Sequence, residues 1–273
     1  MDASSRESYA PALARLNELA AAEGAGLTGV ADELLAVAEV LAREPRLRRA
    51  LADPARSGQE RAGLIESLLA GKASDRTLEL LRILCQGRWS SGTDLLNGVE
   101  RLGVQALLAS AQAAGELAEV EDELFRFGQV VDANLDLATA LGASTVPPAQ
   151  RAELAKMLLE GKARPVTIRL VVAALHGFGG RNFSAALRAI VELAAYRRER
   201  DIAYVTVAAP LSEAEQARLA ARLSEIYGRQ VEVKVTVVPE VLGGVSVRIG
   251  NDLYDGTVRR RLVETRAALA AKK

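Results

Sequence analysis

The chain has 273 residues, and its 35 Lys plus Arg balance 35 Asp plus Glu, so the net charge at pH 7 is zero and the pI is about 6.7. That balance argues against a protein that wraps bulk nucleic acid, which is basic overall; 26% charged residues with a mean hydropathy of +0.09 suit an ordered soluble chain. A single Cys and a single His exclude an internal disulfide and any Cys₂His₂ or Cys₄ zinc site.

Met1 to Ala10 (MDASSRESYA) lacks an apolar core and is not expected to be a signal peptide. From about Glu7 to Arg200 the chain is rich in Ala, Leu, Arg and Glu, all strong helix formers. Apolar residues recur at three and four, as in Leu13, Leu16 and Leu19, then Leu34, Val37 and Leu41. That period predicts amphipathic helices. Breaks are expected at Gly24 to Gly29, Asp53-Pro54, Gly71 to Asp75 and Gly87 to Gly92. The most apolar stretch, Ile168 to Leu175, contains Arg169 and falls short of the roughly 20 residues a membrane span needs. Direct membrane insertion is therefore not expected.

After Asp201 the period changes to two. Ile202 to Val207 reads as a strand. Pro210 breaks it, and Ser212-Glu213-Ala214-Glu215 predicts a capping box opening a helix to Tyr227. Val231, Val233, Val235 and Val237 alternate with polar residues; Gly243-Gly244 is a turn before a strand at Val245 to Ile249. A short strand at Leu253-Tyr254 and a last helix from about Asp255 to the C-terminus complete a β-α-β-β-(β)-α unit. The fold class is mainly α with a small α+β C-terminal domain.

The helical part is duplicated at an offset of 90 residues. Asp32-Glu33-Leu34 meets Asp122-Glu123-Leu124, Arg61-Ala62 meets Arg151-Ala152, and Leu68-Leu69-x-Gly71-Lys72-Ala73 meets Leu158-Leu159-x-Gly161-Lys162-Ala163. Two tandem helical bundles are expected, at residues 1–98 and 99–200, followed by the α+β domain at 201–273.

The repeat tests the tempting motifs. Gly24 to Gly29 matches G-x-G-x-x-G, but a dinucleotide site needs a strand before it, and an Ala-rich helix stands there instead. Gly71-Lys72 resembles the end of a phosphate loop, yet Ala73 stands where Ser or Thr is needed and Glu66 where Gly is needed. Both Gly-Lys copies read as helix C-caps. His176 aligns with Gln86 and Cys85 with Leu175, so both read as structural, and Trp89 reads as a packing anchor. The runs Arg197-Arg198-Glu199-Arg200 and Arg259-Arg260-Arg261 read as solvated helix faces; a nucleic-acid or lipid-surface binder is the weaker interpretation. No nucleophile, base and orienter cluster together, so no catalytic residue, cofactor or metal is expected. An Ala/Leu-rich helical chain with 4% aromatics suits recognition of helices in grooves.

The stretch Val231 to Leu262, VEVKVTVVPEVLGGVSVRIGNDLYDGTVRRRL, resembles the C-terminal signature of the ATP synthase delta subunit family, which includes the mitochondrial oligomycin-sensitivity-conferring protein. The residues that carry the resemblance are Pro239, Leu242, Gly243, Gly244, Val247, Arg248, Ile249, Gly250, Asp255, Gly256, Thr257, Val258, Arg259, Arg261 and Leu262. Val238 departs from the acidic residue usual there. Tyr9-Ala10 with Leu13 resembles the family's opening helix, and the second bundle makes the chain resemble a long form. The resemblance implies a non-catalytic peripheral-stalk subunit of a rotary proton-translocating ATP synthase, peripheral to the cytoplasmic face of the plasma membrane. The implied partners are the alpha subunits of the catalytic head, with beta as a further contact, and the b-type stalk subunits. Expected partner-binding residues are Tyr9, Leu13, Leu78 and Leu81 in the first copy and Leu107, Ile168, Val171 and Val172 in the second. In the signature they are Leu242, Gly243, Gly244, Arg248, Asp255, Gly256, Arg259 and Arg261. The alternative is a helical adaptor of another multiprotein complex with the C-terminal unit reused.

Overall fold

The computed structural model describes residues 3–143, 145–198, 201–227, 231–249, 252–258, 260 and 262. The chain divides into two compact units, Met1–Val191 and Glu192–Lys273.

The first unit is helical: α1 (Ala3–Glu23), α2 (Thr28–Arg43), α3 (Pro45–Leu51), α4 (Gly58–Leu69), α5 (Asp75–Gln86), α6 (Gly92–Ala113), α7 (Leu117–Ala133), α8 (Leu135–Gly142), α9 (Pro148–Leu159), α10 (Pro165–Leu175) and the start of α11 (Phe183–Arg197). The expected breaks fall at helix boundaries, although the first ends at Leu27, because Thr28 and Gly29 already belong to α2, and Asp75 and Gly92 open α5 and α6. Gly24 to Leu27 is a 3₁₀ turn between α1 and α2, with no strand before it. At Gly71 and Gly161 φ is +69° and +70°, and the carbonyls of Leu69 and Leu159 accept the amides of Lys72 and Lys162 at 2.9 Å. Both Gly-Lys motifs therefore end helices, as read.

The offset of 90 holds in the structure. Helices α3, α4 and α5 open at Pro45, Gly58 and Asp75, and α8, α9 and α10 at Leu135, Pro148 and Pro165. Under the same offset α1 falls on α6, and the start of α6 falls within one residue of the start of α11. Helix α6 thus closes the first copy and opens the second, packing against α1, α2, α3, α5, α7 and α10. Every residue from Leu102 to Ala111 is buried, the signature of a helix surrounded on all sides. The expected limit at 98/99 falls inside this continuous helix. Gly98 lets the indole of Trp89 lie against it, where a Cβ would come within 2.5 Å of the ring. The indole Nε1 donates to the Leu84 carbonyl at 2.7 Å, so Trp89 anchors α5 to α6.

Two polar devices recur in both copies. Arg61, 4% exposed, donates to the carbonyls of Cys85 (2.9 Å), Asp53 (3.0 Å), Arg56 (2.7 Å), Gln86 (3.2 Å) and Gly87 (2.9 Å). Its counterpart Arg151 donates to the carbonyls of Leu141 (2.8 Å) and Val146 (3.2 Å). The second device is a carboxylate from α2 or α7 that caps another helix. Glu33 accepts the Ser74 amide at 3.0 Å and hydroxyl at 2.7 Å at the start of α5. Glu123 accepts the Arg164 amide at 3.0 Å and guanidinium at 2.6 Å, and the Thr167 hydroxyl, at the start of α10. Burial alone would raise both carboxyls; the hydrogen bonds from Thr77 and Ser74, and from Thr167 and Arg164, outweigh it and hold both below the ordinary range.

A depressed carboxyl pKa contributes stability above the unfolded value and loses it as pH falls. The double variant Glu33→Gln, Glu123→Gln is therefore expected to lose about 1–3 kcal/mol per site at pH 7. Its melting temperature should also fall less than that of the native chain between about pH 5 and pH 3. Thermal melts across that range check this; a variant with the native pH slope would refute the capping role.

The second unit holds the end of α11, then β1 (Asp201–Val207), α12 (Glu213–Tyr227), β2 (Val231–Val237), β3 (Val245–Ile249) and β4 (Asp252–Asp255). The sheet order is β2-β1-β3-β4. Strands β1 and β2 are parallel, joined by α12, while β3 runs antiparallel to β1 and to β4. The expected capping box is present: the Glu215 amide donates to Ser212 Oγ at 3.3 Å, and the Ser212 amide to Glu215 Oε2 at 2.8 Å. Helix α12 covers one face through Leu219, Leu223 and Tyr227 over Ala203, Val205, Val231 and Val247. The alternation of β2 is imperfect, because Lys234 is buried and paired with Glu232 at 2.9 Å. The last helix, expected from about Asp255, does not begin there: Asp255 ends β4 and Gly256-Thr257 is a link, beyond which only Val258, Arg260 and Leu262 are described.

Candidate functional site

Three surfaces collect the residues expected to meet partners. The first is the α1–α5 face. The N-terminal end of α1 is fastened by Ser4 and Ser8, whose hydroxyls donate to the Arg88 carbonyl. Further along, Arg15 Nε and Nη2 grip both oxygens of Glu79 at 2.8 and 3.2 Å, while Nη1 reaches Glu18 at 2.8 Å. The fork geometry matches a carboxylate, and the hydrogen bond to Glu79 raises the Arg15 pKa. Leu13 and Leu78 lie half-buried on α1 and α5. Tyr9 and Leu81 are buried and take core positions beneath this face. The guanidinium of Arg101 sits 5.8 Å from the Tyr9 ring centroid, a cation–π distance.

The second surface is a cleft of about 550 Å³ between α2 and α10, with Glu100 of α6 also lining it. Leu35 and Ala36 stand on one wall, Ile168, Val172 and Ala173 on the other, and Phe178 with them. The walls are tied by Asp32 to Arg169 at 3.4 Å and Glu39 to His176 at 3.5 Å. The ring Nδ1 of His176 lies 3.0 Å from the Val172 carbonyl. Glu100 accepts the Gly179 amide at 2.8 Å; burial raises its carboxyl above the ordinary range, against that bond and nearby Arg181. Ile168 and Val172 line this cleft, whereas Leu107 and Val171 are fully buried and belong to the core. Sequence reasoning missed Leu35, Asp32, Glu39 and Glu100, because the cleft forms between copies and no short motif spans it.

The third surface is the signature loop of the second unit. The backbone at Leu242, Gly243 and Gly244 has φ of +62°, +135° and +76°. The Val258 amide donates to the Gly243 carbonyl at 3.0 Å, and the Gly256 amide to the Val245 carbonyl at 2.9 Å. Asp255 Oδ1 accepts the Thr257 amide at 3.0 Å. Gly243, Gly244, Asp255 and Gly256 therefore meet at one backbone junction, and the residue this junction presents is Leu242, 66% exposed. A left-handed Leu with an exposed side chain is strained. Arg248 lies 5.5 Å from the Tyr204 ring centroid, on the register row Tyr204–Arg248–Leu253. Arg259 and Arg261 lie outside the residues whose side chains are described.

Elsewhere, Cys85 is buried, which pushes its thiol up to about 12 and suits a core position. Among the described residues no group of three or more His, Cys, Asp or Glu is placed to hold a metal ion, and no helix is long and apolar enough to cross a membrane.

The chain matches the family model "ATP synthase delta (OSCP) subunit" over residues 6–102 and 104–269. The two matched stretches meet inside α6. It is 61% identical to the ATP synthase subunit delta of Salinispora arenicola, over 99% of each chain. It is 59% identical to that of Salinispora tropica, again over 99% of each, and 43% identical to that of Streptomyces griseus, over 99% of this chain and all of the other. These matches do not favour an adaptor of an unrelated complex. With a duplicated helical unit, a small mixed sheet and full-length similarity to delta subunits, the chain belongs to the ATP synthase delta (OSCP) subunit family.

Proposed function

We propose that the chain is a non-catalytic link of the peripheral stalk. In this view its helical unit grips amphipathic helices of the alpha subunits, with beta as a further contact. Its second unit meets the b-type stalk subunits, and the assembly lies at the cytoplasmic face of the plasma membrane. Joined in this way, the head is held still against the torque of the rotor. The observation that carries this is that Leu13 on α1 and Leu78 on α5 are half-buried rather than core, on two helices joined by the forked Arg15–Glu79 pair. Partly exposed apolar side chains on a fixed pair of helices suit an amphipathic helix as partner. Leu242 is the matching contact of the second unit.

Pull-down of the tagged full chain from gently solubilised membranes tests this. Recovery of alpha, beta and b-type subunits in fixed ratio is expected. Leu13→Asp with Leu78→Asp should reduce alpha recovery at least tenfold, on the order of 1.4 kcal/mol, and Leu242→Asp should selectively reduce b-type recovery. Native recovery with all three changes would refute the assignment of these surfaces, and recovery of none of the subunits from the native chain would refute the role.

A further inference from the structure

The sheet of the second unit has two outer strands, and the sequence treats them differently. In the order β2-β1-β3-β4, β2 and β4 each have one neighbour. An outer strand offers a row of backbone amides and carbonyls to any other strand. Strand β4 is four residues long with Asp at both ends, which makes it a poor template. Strand β2 is seven residues, VEVKVTV, five of them β-branched, a composition that pairs readily with its own kind. The Val238 amide donates to the Val207 carbonyl at 2.7 Å, so the even-numbered residues of β2 turn their backbone to β1. By alternation Val231, Val233 and Val237 turn theirs to the open side. The Val231 amide is taken there by Ser224 Oγ of α12 at 2.8 Å.

Val233 and Val235 pack under α12, so Lys234 between them points to the opposite face. It is nonetheless buried, 9% exposed. Its Nζ lies 2.9 Å from Glu232, which Arg198 approaches at 3.8 Å. The hydroxyl of Tyr204, its register partner on β1, is buried as well. A buried ion pair stabilises a fold little more than well-packed apolar residues would, and a valine or threonine suits a strand better than a lysine. The position at the outer strand gives the pair another consequence. With β1 on one side, water reaches the pair from the open side of β2. A strand laid there would seal an ammonium and a carboxylate from water together, and the loss of their hydration opposes the new backbone bonds.

We propose that Lys234, held by Glu232, guards the open side of β2 against pairing with the β2 of a second copy of this chain. A second copy is the strand to be excluded because two β2 edges are identical. Brought antiparallel about a twofold axis, each presents the same alternation of amides and carbonyls to the other. A contact of Lys234 with the other chain's carboxylate would only exchange a partner that each group already has, and it restores none of the lost hydration. The sheet thus keeps its short outer strand unpaired by length and acidic ends, and its long one by an inward-turned lysine.

Sedimentation of the purified full chain tests this. The native chain is expected to stay monomeric up to about 100 μM. The double variant Glu232→Thr, Lys234→Val removes both charges and leaves neither buried alone, and it should self-associate at least tenfold more tightly than the native chain. In the associated form the Val233 and Val237 amides should gain protection from hydrogen exchange. Adding Thr236→Lys, which returns a lysine to the same face two residues along, should restore the monomer. Lys234→Gln removes the charge while keeping a donor for Glu232. It decides the matter if circular dichroism shows that the double variant has lost its sheet, and it too should associate. A folded double variant that stays monomeric would overturn the proposal, as would a monomeric Lys234→Gln. So would a native chain that pairs through β2, association without protection of the two amides, or association that Thr236→Lys leaves unchanged.

Discussion

Replacing Arg61 with methionine is expected to destabilise the helical unit by about 3–5 kcal/mol, since a buried carbonyl left without its donor costs ~1–3 kcal/mol and this side chain serves five. Its partners come from the end of α5, from the Gly87 link and from the loop before α4. One guanidinium therefore closes the last turn of one helix and fixes the entry of another. Methionine fills much of the volume and isolates the loss of donors from the loss of packing. Arg61→Lys is the informative companion. An ammonium has three donors against five, without the planar fork, so it should recover part of the loss and no more. Urea melts of the full chain measure both. A loss below about 1 kcal/mol for Arg61→Met would show that water replaces the guanidinium and that the network is not a structural keystone. The same change at Arg151 should cost less, because its donors reach two backbone carbonyls rather than five.

Gly244→Val is expected to unfold the second unit while leaving the helical unit folded. The φ of +76° opposes any residue with a Cβ by about 1–2 kcal/mol, and a Cβ here would lie 2.4 Å from the Gly256 carbonyl oxygen and 3.0 Å from the Thr257 Cα. Backbone on both sides leaves no flexible atom to yield, so the junction of β3 with the segment after β4 must come apart. Circular dichroism and a two-step melt would show loss of the strand signal with retention of helix. Under the proposed role, alpha recovery should persist while b-type recovery disappears. Native sheet content in Gly244→Val would refute the account. Leu242→Gly provides the contrast: it relieves a left-handed Leu, so it should leave the second unit at least as stable while weakening its stalk contact. Strain retained at an exposed apolar side chain is otherwise hard to explain.

These two sites show what could be read from residues in a row. The Gly243-Gly244 turn, the Ser212–Glu215 box and the helix breaks at Gly71 and Gly161 are local matters of φ and hydrogen bonding, and all were legible. So was the duplication, because Leu68-Leu69-x-Gly71-Lys72-Ala73 repeats intact 90 residues on. Burial was less so. Tyr9, Leu81, Leu107 and Val171 carry the same helical period as Leu13, Leu78, Ile168 and Val172, yet the first four are core and the second four half-exposed. Period identifies an apolar face; how far a neighbour covers that face depends on residues distant in the chain.

The amino-acid sequence by itself determined the helical character of the first unit, its repeat, the β-α-β-β order of the second and the family, since each rests on short-range pattern or on an uninterrupted motif. Tertiary structure alone decided that α6 serves both copies, that Arg61 gathers five carbonyls, and that α2 and α10 face each other across a charged cleft. The physical reason is common to all three. Each depends on which surfaces meet after the chain has turned back on itself, and α2 and α10 meet across more than a hundred residues, where no local periodicity reaches.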